Sequence, residues 1–326
     1  MANTILRYAE FNQEGVGGTD YGLEKTAGAV GGVYEDITGA NLDAADDSAM
    51  IYGGGIGRSP RIVRPGYYAP TGNVVFAPRL STIGQYFFWA LGDGAADGAM
   101  WGAEGVLLPT FNTRVGKDLF EHLFLGCVVN SLQLSASDSF MELTLDIVSQ
   151  KDKKASLQSI SALELGEISP LAFHEINVTT GPASAKVRSM TMNINNNVGS
   201  DSGRGLGSRF PYLLRADQRE TTLDLDLYFD DTGELENFWG NAAGPLESSV
   251  PNEFSLEFEI KQAGATTGDP MVTIELPRCI HTSQSLEPSG RDRMEQSVSV
   301  TALQDNFAGD SKDSEIKVTV GTVPAE

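Results

Sequence analysis

The residues that could do chemistry in this chain are few and scattered. It has three histidines, His122, His174 and His281, and the third and fourth residues after each are not metal-ligand types. A zinc site needs denser grouping of Cys and His, so each reads as a structural or surface histidine. No H-E-x-x-H, nucleophile elbow or P-loop occurs. "GGGIG" (53–57) has the look of a phosphate cradle, but Pro60 follows where a dinucleotide-binding helix would have to start. The two cysteines, Cys127 and Cys279, read as small buried side chains at strand ends. What remains is carboxylate: Asp224, Asp226, Glu257 and Glu259 alternate with apolar residues. Such a row is either a solvated sheet face or the lining of a channel.

The elements that carry these residues are mostly strands. In "TTLDLDLYF" (221–229) Leu223, Leu225, Leu227 and Phe229 alternate with Asp224, Asp226 and Tyr228, the two-residue period of a strand with one buried face. "FSLEFEI" (254–260), "MELTLDI" (141–147), "VRSMTMNI" (187–194), "MVTIEL" (271–276), "SVSVTAL" (297–303) and "IKVTV" (316–320) repeat the pattern. Two stretches have helical spacing instead. One places Ile83, Phe87 and Ala90 behind an N-cap at Ser81; the other places Leu235 and Trp239 behind Asp231 or Thr232.

The chain also repeats itself. "GGGIGRSPRIVR" (53–64) is echoed by "GRGLGSRFPYLLR" (203–215), and Thr82, Phe88 and Trp89 recur 150 residues on as Thr232, Phe238 and Trp239. Cys127, Ser131 and Leu134 recur at an offset of 152 as Cys279, Ser283 and Leu286, and Met141-Glu142 recurs as Met294-Glu295. Four segments in one order with a slowly drifting offset indicate a duplication, and a period this long indicates two tandem units rather than a solenoid. The expected layout is an N-terminal arm (1–28), a first β unit (29–155), a linker (156–170) and a second β unit (171–326). Each unit is a β-sandwich or barrel with one short helix, in keeping with a length that exceeds the usual size of a single core.

The formal net charge is -21, from 44 acidic against 23 basic side chains. That balance argues against gripping a phosphate backbone; it fits solubility, a surface to which DNA must not stick, or adaptation to high salt. The start, "MANTILRYAEFNQEG", shows no basic segment followed by an apolar one and reads as lacking a secretory leader. No run approaches 18 apolar residues, so no membrane partner is expected.

Several stretches together resemble the tail tube proteins of long-tailed bacterial and archaeal viruses. They are "KVRSMTMNINNNV" with its Gly/Ser loop, "LGSRFPYLLR", "LDLYFDDTGELENFW" and "IELPRCIHTSQSLEPSGRDRMEQSVSVTALQ". In the first half "APTGNVVFAPRLSTIGQYFFWALG" and "LFLGCVVNSLQLSASDSFMELTLDIV" match them, so the likeness spans roughly residues 30 to 320. The resemblance implies a β unit assembled as stacked rings around a lumen for viral DNA. One-unit relatives form six-membered rings, so a two-unit chain would close the same ring with three copies. It further implies contacts with viral DNA that are not sequence-specific, with tape-measure and tail-end proteins, and with copies of itself. It implies no catalytic residue, cofactor or metal.

On that reading Asp224, Asp226, Glu257 and Glu259 line the lumen. The loops "GDGAADGAMWGAEG" (92–105) and "NNNVGSDSGRGLGS" (195–208), with the first 25 residues, order against the next ring. Asp93, Asp97, Trp101, Asn196, Asn197 and Arg204 are their contact residues. The rival readings are a baseplate or decoration component of a virus, and a carbohydrate-binding β-sandwich module.

Overall fold

The computed structural model describes residues 8–15, 33–43, 50–52, 62–95, 97–105, 107–157, 169–180, 183–184, 186–201, 203–229, 232–245, 247, 252–287, 294–307 and 312–324. The repeated phrase at 53–64 lies outside them except for residues 62–64, and so does most of the expected linker.

The architecture is all-β, with two α-helices among the described residues. The first half contains β1 (Ala9–Gly15), β2 (Val33–Glu35), β3 (Ile37–Ala40), β4 (Met50–Tyr52), β5 (Ile62–Arg64) and β6 (Thr71–Phe76). Then come α1 (Ile83–Leu91), β7 (Gly92–Gly94), β8 (Ala99–Gly102), β9 (Thr110–Lys117), β10 (Phe120–Ala136), β11 (Glu142–Val148) and β12 (Lys151–Ala155). The second half contains β13 (Ile176–Thr180), β14 (Ala183–Ser184), β15 (Val187–Asn195), β16 (Glu220–Tyr228) and α2 (Gly233–Trp239). It ends with β17 (Phe254–Lys261), β18 (Pro270–Glu287), β19 (Glu295–Ala302), β20 (Asp305–Phe307), β21 (Lys312–Ser314) and β22 (Lys317–Thr322).

The two halves repeat one pairing order. β10 and β18 are long strands that each serve two sheets. The first part of β10 pairs with β9 and β12 and its second part with β11; the first part of β18 pairs with β17 and β22 and its second part with β19. The order extends outward alike, β11 to β6 to β3 in one half and β19 to β16 to β15 in the other, with β1 on β9 matched by β13 on β17. The irregularities repeat too. Register slips fall between Val129 and Ser131 in β10 and between His281 and Ser283 in β18, 152 residues apart. Slips between Ile37 and Gly39 and between Val187 and Ser189 are 150 apart.

A strand that passes from one sheet to another must bend, and β10 does so at Gly126, whose φ of 64° is the left-handed region glycine tolerates best. The Gly126 N–H donates to Glu14 Oε1 at 2.8 Å, which fixes the bend against β1. Pro277 sits at the same stage of β18, in the register slip of its ladder with β17 between Leu276 and Cys279, the kind of position a strand proline tolerates.

The halves are joined edge to edge. β10 and β15 pair antiparallel, from Ser131 opposite Asn195 to Ala136 opposite Met190, and β8 pairs with β22 from Ala99 opposite Thr319 to Trp101 opposite Lys317. A continuous sheet therefore runs β3-β6-β11-β10-β15-β16-β19-β18 across both halves. One core lies under it, containing Leu132, Leu145, Ile194, Leu225 and Val300 from this sheet together with Phe111, Phe258 and Ile274 from the facing strands.

Some expectations change on contact with the structure. Within the expected arm, Ala9–Gly15 is a strand paired along its length with β9, and Phe11 is fully buried. Residues 92–105, expected to be an open loop, hold the β7–β8 hairpin, because Met100 has a partner in Val318 far along the chain. The N-caps are Thr82 and Thr232 rather than Ser81. Thr82 Oγ1 donates to Glu35 Oε1 at 2.7 Å instead of capping the helix.

Candidate functional site

The eight-strand sheet has two unlike faces. One is the core. The other carries Ser131, Gln133 and Ser135 of β10; Ser189, Thr191 and Asn193 of β15; Thr222, Asp224 and Asp226 of β16; and Ser297 and Ser299 of β19, opposite one another in register. Thr144 and Asp146 continue it on β11. The composition is acidic and hydroxylic, and the alternation that sinks Leu223, Leu225 and Leu227 into the core puts Asp224 and Asp226 on this face.

Hydrogen bonds tie these carboxylates to the strands on either side. Asp226 accepts from Ser189 Oγ and Ser297 Oγ, both at 2.6 Å, Asp224 accepts from Ser299 Oγ at 2.7 Å, and Asp146 accepts from Asn130 Nδ2 at 2.6 Å. Hydroxyl donors hold negative charge at fixed points without neutralising it. At one end Arg188 of β15 pairs with Glu295 of β19.

Glu257 and Glu259 do not join this face. They lie on β17, in the layer that faces the large sheet across the core, with Leu256, Phe258 and Ile260 turned inward. Glu257 stands opposite Glu275 of β18. Partial burial raises its pKa above the usual carboxylate value, with further upward pushes from Glu275 and Glu259.

The loop candidates divide in the same way. Asp93 and Trp101 face each other on the β7–β8 hairpin; Asp93 takes an ion pair from Lys312 Nζ at 2.5 Å, and Lys312 and Lys317 each place Nζ 5.9 Å from the Trp101 ring centre. Asp97 is exposed at the tip of that hairpin. Asn197 is exposed with φ 50°, and its Nδ2 donates to the Gln218 carbonyl. Arg204 lies over the Tyr67 ring at 5.3 Å.

Asn196 is 1% exposed, and its amide donates to the carbonyls of Ala90 and Val129 at 2.9 and 3.1 Å. It pins the end of α1 to β10 and β15 inside the fold. Sequence reading grouped it with Asn197 because an Asn/Gly run looks like an exposed loop.

Two adjoining clefts open beside these residues and share Gly102, Ala103, Glu104 and Asp313. The larger, about 670 Å³, is lined among others by Asn197, Asp217, Glu220 and Glu315. Arg219 crosses it to pair with Glu315 at 2.5 Å, lying so close over Gly102 that a Cβ there would fall 1.7 Å from its guanidinium.

His122 and His281 are buried and contact side chains within the fold. His122 Nε2 lies 2.6 Å from Asp152 Oδ2, and His281 stacks on Phe254 with ring centres 4.4 Å apart. Cys127 and Cys279 are buried free thiols, and burial pushes the Cys279 thiol up to about 12, far from the reactive range. Among the described residues no three His, Cys, Asp or Glu side chains group as a metal site, and no helix is long and apolar enough to cross a membrane.

The edges of the sheet are the remaining feature. Among the described residues β3 pairs only with β6, and the second part of β18 pairs along its length only with β19. At that edge both amide atoms of Gln284 are buried without a hydrogen-bond partner. A sheet with a core on one face, fixed carboxylates on the other and unpaired borders at both ends defines a β-structured assembly protein. The model of the phage tail tube protein family matches residues 21–302, and the chain belongs to that family. No curated protein matches it. A phage tail tube protein is a component of the virion tail, built by self-assembly into a tube.

Proposed function

We propose that this chain is the major tail tube subunit, that three copies close into a pseudo-sixfold ring, and that stacked rings enclose an acidic channel for viral DNA. The observation that carries this reading is the β10–β15 ladder. It joins the second part of the first half's long strand to the outermost strand of the second half. The counterparts of those two edges are β18 and β3, and among the described residues both are open. Pairing β18 of one copy with β3 of the next repeats the internal joint, and three repeats bring the circle back to its start.

Closure also supplies partners. A buried, unsatisfied polar group costs about 1–3 kcal/mol, and Gln284 lies at the edge where a neighbouring strand would arrive. On this reading the Asp224 and Asp226 face is the channel wall, and Glu257 and Glu259 belong to the outer layer. DNA would pass without sequence-specific contacts, a tape-measure protein would occupy the lumen before it, and tail-end proteins would cap the stack. The clefts flanked by Asp93, Trp101 and Asn197 are the proposed contacts with the next ring.

Negative-stain electron microscopy at rising protein concentration, with mass photometry, tests the reading. Hollow rings with the mass of three chains are expected, growing into tubes. Rings of six chains would overturn the trimer, and a protein that stays monomeric throughout would overturn the tube.

A further inference from the structure

The two halves differ most where their equivalent helices meet solvent. α1 packs on β10, on the β7–β8 hairpin and on β22 from the other half. Eight of its nine residues are buried, with Phe88 at 6% and Trp89 at 0% exposure. α2 holds the same place on β18, yet none of its residues is buried, and Phe238 and Trp239 remain partly exposed 150 residues after their counterparts. What α2 lacks is the contact made across the halves.

The strand that makes that contact for α1 has its own counterpart. β22 and β12 each pair with the first part of a long strand, β18 and β10 respectively. β22 is also paired on its other side by β8, whereas among the described residues β12 has a ladder only with β10. The contact that α1 makes on β22 is therefore matched, among the described residues, by an open pair, α2 and β12.

Resting on the ring reading above, we propose that α2 of one copy docks on β12 of the next copy, forming the outer half of the joint between subunits. The charge pattern singles out a second copy as the occupant. α1, "IGQYFFWAL", has no charged residue and packs on a strand whose Val318 is fully buried, so the helix-to-strand contact inside the chain is apolar. α2, "GELENFW", carries Glu234 and Glu236 in its first turn, where Glu234 Oε2 lies 3.0 Å from His281 Nε2 and Glu236 Oε1 accepts from Thr232 Oγ1 at 2.7 Å; β12, "KDKKA", carries Lys151, Lys153 and Lys154. In a chain with 44 acidic and 23 basic residues, this is the densest run of lysines, and it lies on the strand that the equivalence assigns to α2. Leu235, Phe238 and Trp239 supply the apolar contact, and the carboxylates select the lysine strand.

Two measurements test the proposal on the full chain. Acrylamide quenching of Trp239, taken as the difference between the wild type and Trp239→Phe, should be strong in monomer and fall several-fold in rings. Lys153→Glu with Lys154→Glu should raise the concentration for half-assembly about tenfold while circular dichroism stays unchanged, and adding Glu236→Lys should restore much of the loss. If the lysine variant misfolds, Glu236→Lys alone should weaken assembly to a comparable extent. Rings that form while Trp239 stays equally quenchable overturn this docking and leave the ring intact, and so does Trp239 covered only after a tail-end protein is added. A wild type that forms no ring overturns both.

Discussion

At the scale of single residues, the proposed function rests on where negative charge is fixed. Asp224 and Asp226 are held by Ser189, Ser297 and Ser299 on a face that otherwise presents hydroxyls and amides. If this face is the proposed channel wall, lysines there would attract the phosphate backbone of the passing DNA. Asp224→Lys with Asp226→Lys should leave rings and tubes intact by microscopy and slow or trap DNA during ejection, read as the rate of DNA release from assembled particles; an unchanged rate would remove both from the wall. The alternation in "TTLDLDLYF" told which side chains leave the core. It could not tell which layer of a sandwich a strand joins, because inward and outward are defined only within a strand. Glu257 and Glu259 share the pattern of Asp224 and Asp226 and lie in the other layer for that reason. Asn196 reads in the sequence as a loop contact, and its burial is not legible there for a related cause, since that burial depends on the carbonyls of Ala90 and Val129, each more than 60 residues away in the chain.

At the scale of elements, equivalent pieces have unequal duties. Trp89 stacks on Phe111 with ring centres 4.5 Å apart and planes inclined by 15°, and its removal should empty the core. Trp89→Ala should cost about 3–5 kcal/mol in denaturant unfolding of the monomer, whereas Trp239→Ala should cost about 1 kcal/mol or less there and show its main effect on assembly. A similar loss for both would mean that α2 is as integral to the monomer as α1. In the outer layer, Glu257 and Glu275 oppose each other across β17 and β18, and like charges in that relation are unfavourable.

The folded state holds the Glu257 proton more tightly than the unfolded chain, so this group disfavours folding once pH rises above the raised value. Glu257→Gln should therefore stabilise by about 0.2–1 kcal/mol at neutral pH, and the gain should vanish as pH falls through the carboxylate range. A gain that is constant with pH would assign it to packing. The duplication and both helices were legible in the sequence, since offsets and periodicities are local. The β10–β15 joint was not, because an edge-to-edge ladder has no signature beyond two ordinary strands.

At the scale of the whole molecule, opposing electrostatic effects decide when tubes form. Each chain carries a formal charge of -21, and the proposed ring would bring three such chains together with their acidic faces turned to one bore. This repulsion is long-ranged, and salt screens it over a Debye length of about 8 Å at physiological ionic strength. The proposed α2–β12 contact would act the other way, because its Glu–Lys pairs would weaken with salt, but exposed pairs of that kind contribute only about 0–1 kcal/mol each. The remainder of the joint is apolar contact and backbone pairing, which monovalent salt barely touches. Repulsion should therefore dominate the salt response. Raising NaCl from low millimolar to about 0.15 M should lower the critical concentration for tube growth, followed by light scattering, with little further change above it. With Asp224→Asn and Asp226→Asn the same curve should start lower and be flatter, because part of the facing charge is gone. A critical concentration that rises with salt would mean that ion pairs, not the sealing of open strands, hold neighbouring subunits together.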